Sequence, residues 1–119
     1  AGGGSAADAA DSTRLFKFYP GGAAMSREEA LRLMALGKVV ARHATAKLSI
    51  EAFGDTPGSD ALNTGIAKHR VKVAQALLAR AGVTDDRLTA SITDVATDPA
   101  LARSIRITGV PATSEVERP

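Results

Sequence analysis

The chain has 119 residues, a formal net charge of +2 and no cysteine. That length suits one domain with a single core, and the missing thiols exclude disulfides, thiolate chemistry and cysteine-based zinc sites. Acids and bases are interspersed, and one Tyr, three Phe and no Trp supply few stacking surfaces, so no nucleic-acid partner is expected; no run of eighteen apolar residues occurs, so no membrane insertion by this segment is expected either.

Residues 1–13 are mainly Gly, Ala, Ser and Asp, lack apolar periodicity and read as a flexible tether. The opening Ala-Gly-Gly-Gly-Ser-Ala-Ala-Asp has no initiator Met and no basic-then-apolar leader. It reads as a processed piece, with any leader, lipid anchor or barrel outside it. Arg14-Leu-Phe-Lys-Phe-Tyr19 predicts a first strand with Phe16 and Phe18 on one face, ended by Pro20-Gly-Gly22. Ser26-Arg-Glu-Glu29 reads as a capping box, Ser26 taking an orphan N–H and Glu29 reaching back to the Ser26 amide. A helix is expected from about Arg27 to Ala44, with Leu33, Leu36 and Val40 on one stripe. Gly37 interrupts it at about 1 kcal/mol relative to Ala, which close packing against the sheet would explain.

Lys47-Leu-Ser-Ile-Glu-Ala-Phe53 alternates and predicts a half-buried second strand. A second helix is expected from Asp60 to Ala81, stopped by Gly82. Its apolar stripe is Leu62, Ile66, Val73 and Leu77, with Arg70 at the border of that stripe. Arg87–Thr93 alternates again as a third strand, and Ser104–Val110 makes a fourth with Ile105 and Ile107 inward. Residues 111–119 read as a flexible tail, leaving 14–110 as the folded domain. The fold class is α+β, a mixed α/β sandwich of order β-α-β-α-β-β: two main helices packed on one four-stranded mixed sheet, the last strand returning through a short loop.

The segment with the most chemistry runs from Phe53 to Arg70. It leaves a strand, passes a Gly/Pro loop and enters the second helix. Asp55 stands at the mouth of the loop. Arg70 stands on the helix, and long helical side chains lean toward the N-terminus, hence toward that loop. Asn63, seven residues earlier, shares its side of the helix. A carboxylate and a guanidinium on one ledge can hold a zwitterion, Asp55 taking the ammonium and Arg70 the carboxylate. On charges alone the same two residues also read as an internal ion pair, or as an arginine lying along the core edge.

The stretch resembles the signature of the OmpA-like (OmpA/MotB/Pal C-terminal) peptidoglycan-binding domain, T-D-x-x-G-x-x-x-x-N-x-x-L-S-x-x-R-A. Asp55, Gly58, Asn63 and Arg70 keep the pattern in register without a gap, while Gly54, Ile66-Ala67 and Val71 replace its Thr, Leu-Ser and Ala. Further on, Arg103 aligns with one of a pair of family arginines. Ser104 occupies the second slot, Arg106 stands where the family has an acid, and the preceding loop is shorter and lacks its glycines. The resemblance implies a non-catalytic module that grips the diaminopimelate side chain of the peptidoglycan stem peptide through Asp55 and Arg70, with Gly54, Asn63 and Arg103 completing the site. It implies a periplasmic place, attached to the outer membrane through a segment outside this chain. The implied role is to anchor an outer-membrane or envelope component to the cell wall, with peptidoglycan and other envelope proteins as partners. The alternative is a protein–protein interaction domain on the same fold that has lost murein binding.

No catalytic set, cofactor or metal site is expected. His43 and His69 lie on expected helices without partner motifs, and Ser59, His69 and Asp94 lack a nucleophile elbow. Asp85, Asp86, Asp94 and Asp98 lack calcium-loop spacing. Gly54, Gly58 and Gly65 lack the Gly-Lys-Ser/Thr ending of a phosphate loop.

Overall fold

Alternation in Leu48–Phe53 (β2) sends Leu48, Ile50 and Ala52 into the core and turns Ser49 and Glu51 to the opposite face. The computed structural model describes residues 12–55, 60–93 and 98–111, and builds a four-stranded sheet around this strand. On one side β2 pairs antiparallel with Ser104–Val110 (β4), Ile50 facing Ile107 and Ala52 facing Ile105. On the other it pairs parallel with Leu88–Thr93 (β3), from Leu48 opposite Leu88 to Phe53 opposite Thr93. Ser12–Lys17 (β1) pairs antiparallel with β4, with an irregularity between Ser12 and Arg14. The strand order is β1-β4-β2-β3. Helices Arg27–Ala41 (α1) and Asp60–Ala81 (α2) supply Leu33, Leu36, Val40, Ala67, Val71, Ala74 and Leu78 to the core against Phe16, Phe18, Ile105 and Ile107. This is the expected α+β fold with two helices on a mixed sheet.

The departures have local causes. β1 starts at Ser12, two residues before the expected limit, and stops at Lys17. Beyond Lys17 the chain leaves the ladder: the Phe18 N–H bonds the Arg103 carbonyl (2.7 Å) and the Tyr19 N–H bonds that of Ala24 (2.8 Å). β4 does not pair with β3; it lies on the far side of β2, between β2 and β1. α1 ends at Ala41 because Arg87, on a short 3₁₀ turn (Asp85–Arg87), donates to the carbonyls of Val40 (2.7 Å), Ala46 (2.9 Å) and His43 beyond the last turn. A helix C-terminus satisfied by a cation needs no further turns. A second 3₁₀ turn, Pro99–Leu101, is opened by Asp98, whose carboxylate accepts from the Ala100 N–H (3.0 Å).

Only half of the expected capping box forms. Ser26 Oγ accepts from the Glu29 N–H (3.1 Å), but the Glu29 carboxylate takes the Lys17 N–H at 2.7 Å and pairs with Arg32. It fastens α1 to β1 instead of closing on its own cap.

The apolar stripe of α2 is rotated from the expected one. Leu62 is 64% exposed, and Val73 and Leu77 are only half-buried. The buried line is Asn63, Ile66, Ala67, Arg70, Val71, Ala74 and Leu78. The two alanines in that line, Ala67 and Ala74, let the helix approach closely. Gly37 is the counterpart on α1: a Cβ there would meet Ala81 Cβ at 2.7 Å and Leu78 Cδ2 at 3.1 Å. The glycine accommodates the other helix, not the sheet.

The expected tether and tail lie almost wholly outside the described residues. No described helix is long and apolar enough to cross a membrane.

Candidate functional site

β2 ends at Phe53, and the chain leaves the sheet through Gly54 and Asp55. Gly54 is buried and held on both sides: its N–H reaches the Thr93 carbonyl (3.1 Å), and its carbonyl accepts from the Arg103 N–H (2.9 Å). Arg103 adopts φ 60°, the left-handed region that side chains rarely enter. That turn lets one residue bond Gly54 through its N–H and Phe18 through its carbonyl. Asp55 is set by α2, because Asn63 Oδ1 accepts from the Asp55 N–H (3.1 Å).

The Asp55 carboxylate then meets two cationic or dipolar partners. Oδ2 accepts from the Gly21 N–H at 2.6 Å, on the loop after β1, where Gly21 has φ +82°. Oδ1 lies 2.6 Å from Arg70 Nη2, too poorly aligned for a good hydrogen bond, so their attraction is charge on charge. The Asp55 side chain keeps 17% of its surface open to solvent, while Oδ1 itself is buried.

Arg70 has no such opening. Its side chain is fully buried, the largest to be so among the described residues. Nε donates to the Gly22 carbonyl (2.8 Å), Nη1 to that of Phe53 (2.8 Å) and Nη2 to that of Tyr19 (3.2 Å). The guanidinium carbon sits 5.4 Å from the centre of the Phe18 ring. The planar fork therefore joins three chain segments: the β1 loop, the end of β2 and α2. The expectation that Arg70 sits at the border of the stripe is corrected. A buried charge this well bonded stands in the centre of it.

Burial works to raise the Asp55 pKa. The Gly21 N–H, the Arg70 ion pair and the charge of Arg103 outweigh it and hold the carboxyl below its ordinary range. Asp55 is thus an anion with a small exposed surface beside a half-exposed arginine, Arg103. Such a site can take an ammonium on the carboxylate. No group of three or more acids, histidines or cysteines suited to a metal occurs among the described residues.

No family model and no curated protein matches the sequence. Solved structures do. The peptidoglycan-associated lipoprotein from Burkholderia pseudomallei matches with a TM-score of 0.70 at 16% identity, over 80% of this chain and 88% of that one. The OmpA-like domain of FopA1 from Francisella tularensis matches with a TM-score of 0.68 at 11% identity, over 83% and 73%. The C-terminal domain of Helicobacter pylori MotB matches with a TM-score of 0.67 at 14% identity, over 79% and 81%. The fold is OmpA-like.

Within this OmpA-like fold the residues singled out by spacing come together. Gly54, Asp55, Asn63 and Arg70 form one bonded unit at the end of β2, and Arg103 joins it through its backbone and its charge. Gly58 lies outside the described residues. Sequence reasoning missed the loop Tyr19–Gly22, which supplies two carbonyls to Arg70 and an N–H to Asp55. Pro20-Gly-Gly22 did carry a signal, read only as a strand stop. His69 is exposed on the flank of α2, and His43 lies just past the end of α1.

Proposed function

We propose that this OmpA-like domain binds peptidoglycan without chemistry, through the diaminopimelate side chain of the stem peptide, and so anchors an envelope component to the cell wall in the periplasm. The observation that carries the reading is Asp55, ionised and with its side chain partly open just beyond the end of β2 on this fold, while its other partners come from the protein. Asp55 takes the ligand ammonium by a charge-assisted contact. Arg70 cannot offer its fork to the ligand carboxylate as arranged, because Tyr19, Gly22, Phe53 and Asp55 occupy it. It orients and ionises Asp55 instead. Arg103, half-exposed and close enough for its charge to act on Asp55, is the cation for the carboxylate. Gly54 and Asn63 fix the backbone that presents Asp55.

The test is calorimetric titration with a diaminopimelate-containing muropeptide and its lysine-containing counterpart, on wild type, Asp55→Asn and Arg103→Ala. A hydrogen bond to a charged group contributes about 1.5–3 kcal/mol, so Asp55→Asn should weaken binding roughly ten- to a hundredfold. Arg103→Ala should remove most of the preference for the diaminopimelate form. Equal affinity of wild type for both peptides, or full binding by Asp55→Asn, rejects the reading.

A second reading is favoured by the complete burial of Arg70. The ion pair then only closes the fold, and the domain is an interaction module without murein affinity. Wild type failing to sediment with purified sacculi, while remaining folded, selects it.

A further inference from the structure

Each helix of the domain contains one glycine, and packing explains only one of the two. At Gly37 a Cβ would collide with α2, whereas at Gly65, inside α2, it would meet nothing within 4 Å. A glycine in a helix interior costs about 1 kcal/mol relative to Ala, and no neighbour accounts for that cost at Gly65. Gly65 instead lines a groove of about 490 Å³ between α2 and β3, together with Lys68, Val71, Lys72, Ala90 and Ile92. α2 packs against β3 as well as β2, but the contact leaves the edge of the sheet open. Ala90 and Ile92 point to the helix side by register with Ile50 and Ala52, yet both are exposed, Ile92 by 38%. With Val71 at the foot of the helical wall they form an apolar floor.

The helical wall carries charge of one sign. Lys68 and Lys72 are four residues apart and so are neighbours on one face of α2. Both are exposed, and neither belongs to an ion pair among the described residues. α2 has no acid after Asp60, and β3 has none. Glu51 stands on the opposite face of the sheet and is paired to Arg106. Two like charges one turn apart repel each other, and an anion seated between them removes that repulsion.

We propose that the α2–β3 groove binds a small amphiphilic anion, a carboxylate on a short aliphatic body. The carboxylate sits between the ammonium groups of Lys68 and Lys72. The body lies over Val71 on Ala90 and Ile92, in the space that Gly65 leaves open. The volume suits such a ligand, since small-molecule sites span about 300–1,000 Å³ and combine an apolar lining with a few charged groups. The apolar floor lies at the bottom of a groove, where a free ligand reaches it and a flat lipid surface does not. The site is separate from the Asp55 unit and does not depend on murein binding.

The experiment is amide-shift NMR on the full chain, titrated with hexanoate and, as controls, with acetate, hexanol and hexylammonium. Hexanoate should shift amides of 65–75 and 88–93 with millimolar affinity, as suits a ligand of few heavy atoms, and the affinity should fall as salt rises. Acetate lacks the aliphatic body, hexanol lacks the charge and hexylammonium has the wrong one, so each should bind these segments about tenfold more weakly or not at all. The Lys68→Gln/Lys72→Gln double variant, altered only at exposed positions, should bind hexanoate no better than hexanol. Gly65→Leu should fill the groove and abolish the shifts while raising the melting temperature, because leucine favours the helix and its Cβ meets no neighbour. No hexanoate shifts in these segments, an equal response to hexanol, or undiminished binding by either variant overturns the proposal. Concentration-dependent shifts of the same amides without ligand also overturn it, by assigning the groove to a second copy.

Discussion

Replacing Arg70 by Ala should cost the fold far more than a surface ion pair would. The guanidinium is fully buried and supplies donors to the carbonyls of Tyr19, Gly22 and Phe53 as well as the counter-charge to Asp55. Taken singly, hydrogen bonds to a charged group contribute about 1.5–3 kcal/mol each, but contacts sharing one group do not add. The loop that owns two of the carbonyls is at the surface, with Tyr19 55% exposed, so water can reach them after truncation. The lower figure for breaking a buried pair, about 3–5 kcal/mol, is therefore the expected loss. Against a total stability of about 5–15 kcal/mol that is a large share. At an m-value of about 1.5 kcal/mol/M it is a fall of about 2–3 M in the urea midpoint. Arg70→Lys should fall between, since one ammonium cannot reach three carbonyls set in different directions. Urea melts followed by circular dichroism read the effect directly. A midpoint for Arg70→Ala within about 0.5 M of wild type, at unchanged m, would refute the structural account of this residue. Loss of murein binding by Arg70→Ala would, on this account, say nothing about ligand contact.

Asp55 makes stability pH-dependent: its folded pKa is depressed, so its contribution is complete above the unfolded value of about 3.9 and is lost as pH falls through the folded value. Urea midpoints should drop below about pH 4, and Asp55→Asn should flatten part of that drop. Gly37→Ala should destabilise despite the helix-propensity gain of about 1 kcal/mol, because its Cβ would sit 2.7 Å from Ala81 Cβ and overpacking costs about 1–3 kcal/mol; a higher melting temperature would show that α1 and α2 can part. Ser26→Ala should cost about 0.5–2 kcal/mol through the lost bond to the Glu29 N–H, with murein affinity unchanged in the same preparation.

Element order was legible because strands and helices here differ plainly in period. Lys47–Phe53 alternates, α1 has caps and a stripe, and Gly82 stops α2. The spacing of Asp55, Asn63 and Arg70 was legible for the same reason, since one strand–loop–helix unit fixes their geometry locally. What was not legible is long-range. The apolar periodicity of α2 is weakened by Ala67, Arg70 and Ala74, so Leu62 appeared to belong to a stripe that the fold places elsewhere. The partners of Arg70 are backbone carbonyls of Tyr19 and Gly22, and a carbonyl leaves no mark in a sequence. Arg87 looked like a strand residue, yet its work is to close α1 from across the domain. The place of β4 inside the sheet likewise follows from partners far along the chain.

That place has a consequence for the order in which the domain can assemble. Among the described residues β1 is hydrogen-bonded in the sheet to β4 alone, so the first strand to be made has no neighbouring strand until the last one arrives. The segment β2–α2–β3 can associate earlier, since its parallel pair needs only residues already present. A chain emerging N-terminus first, from a ribosome or through a membrane pore, must therefore carry the ladder groups of β1 unpaired for nearly its whole length, with only contacts such as Glu29 on the Lys17 N–H to place that strand. Such non-local closure slows folding and leaves an open strand exposed meanwhile. A chain cut short before Ser104 loses half of its sheet at once, β4 and the β1 strand that pairs with it, however complete its helices.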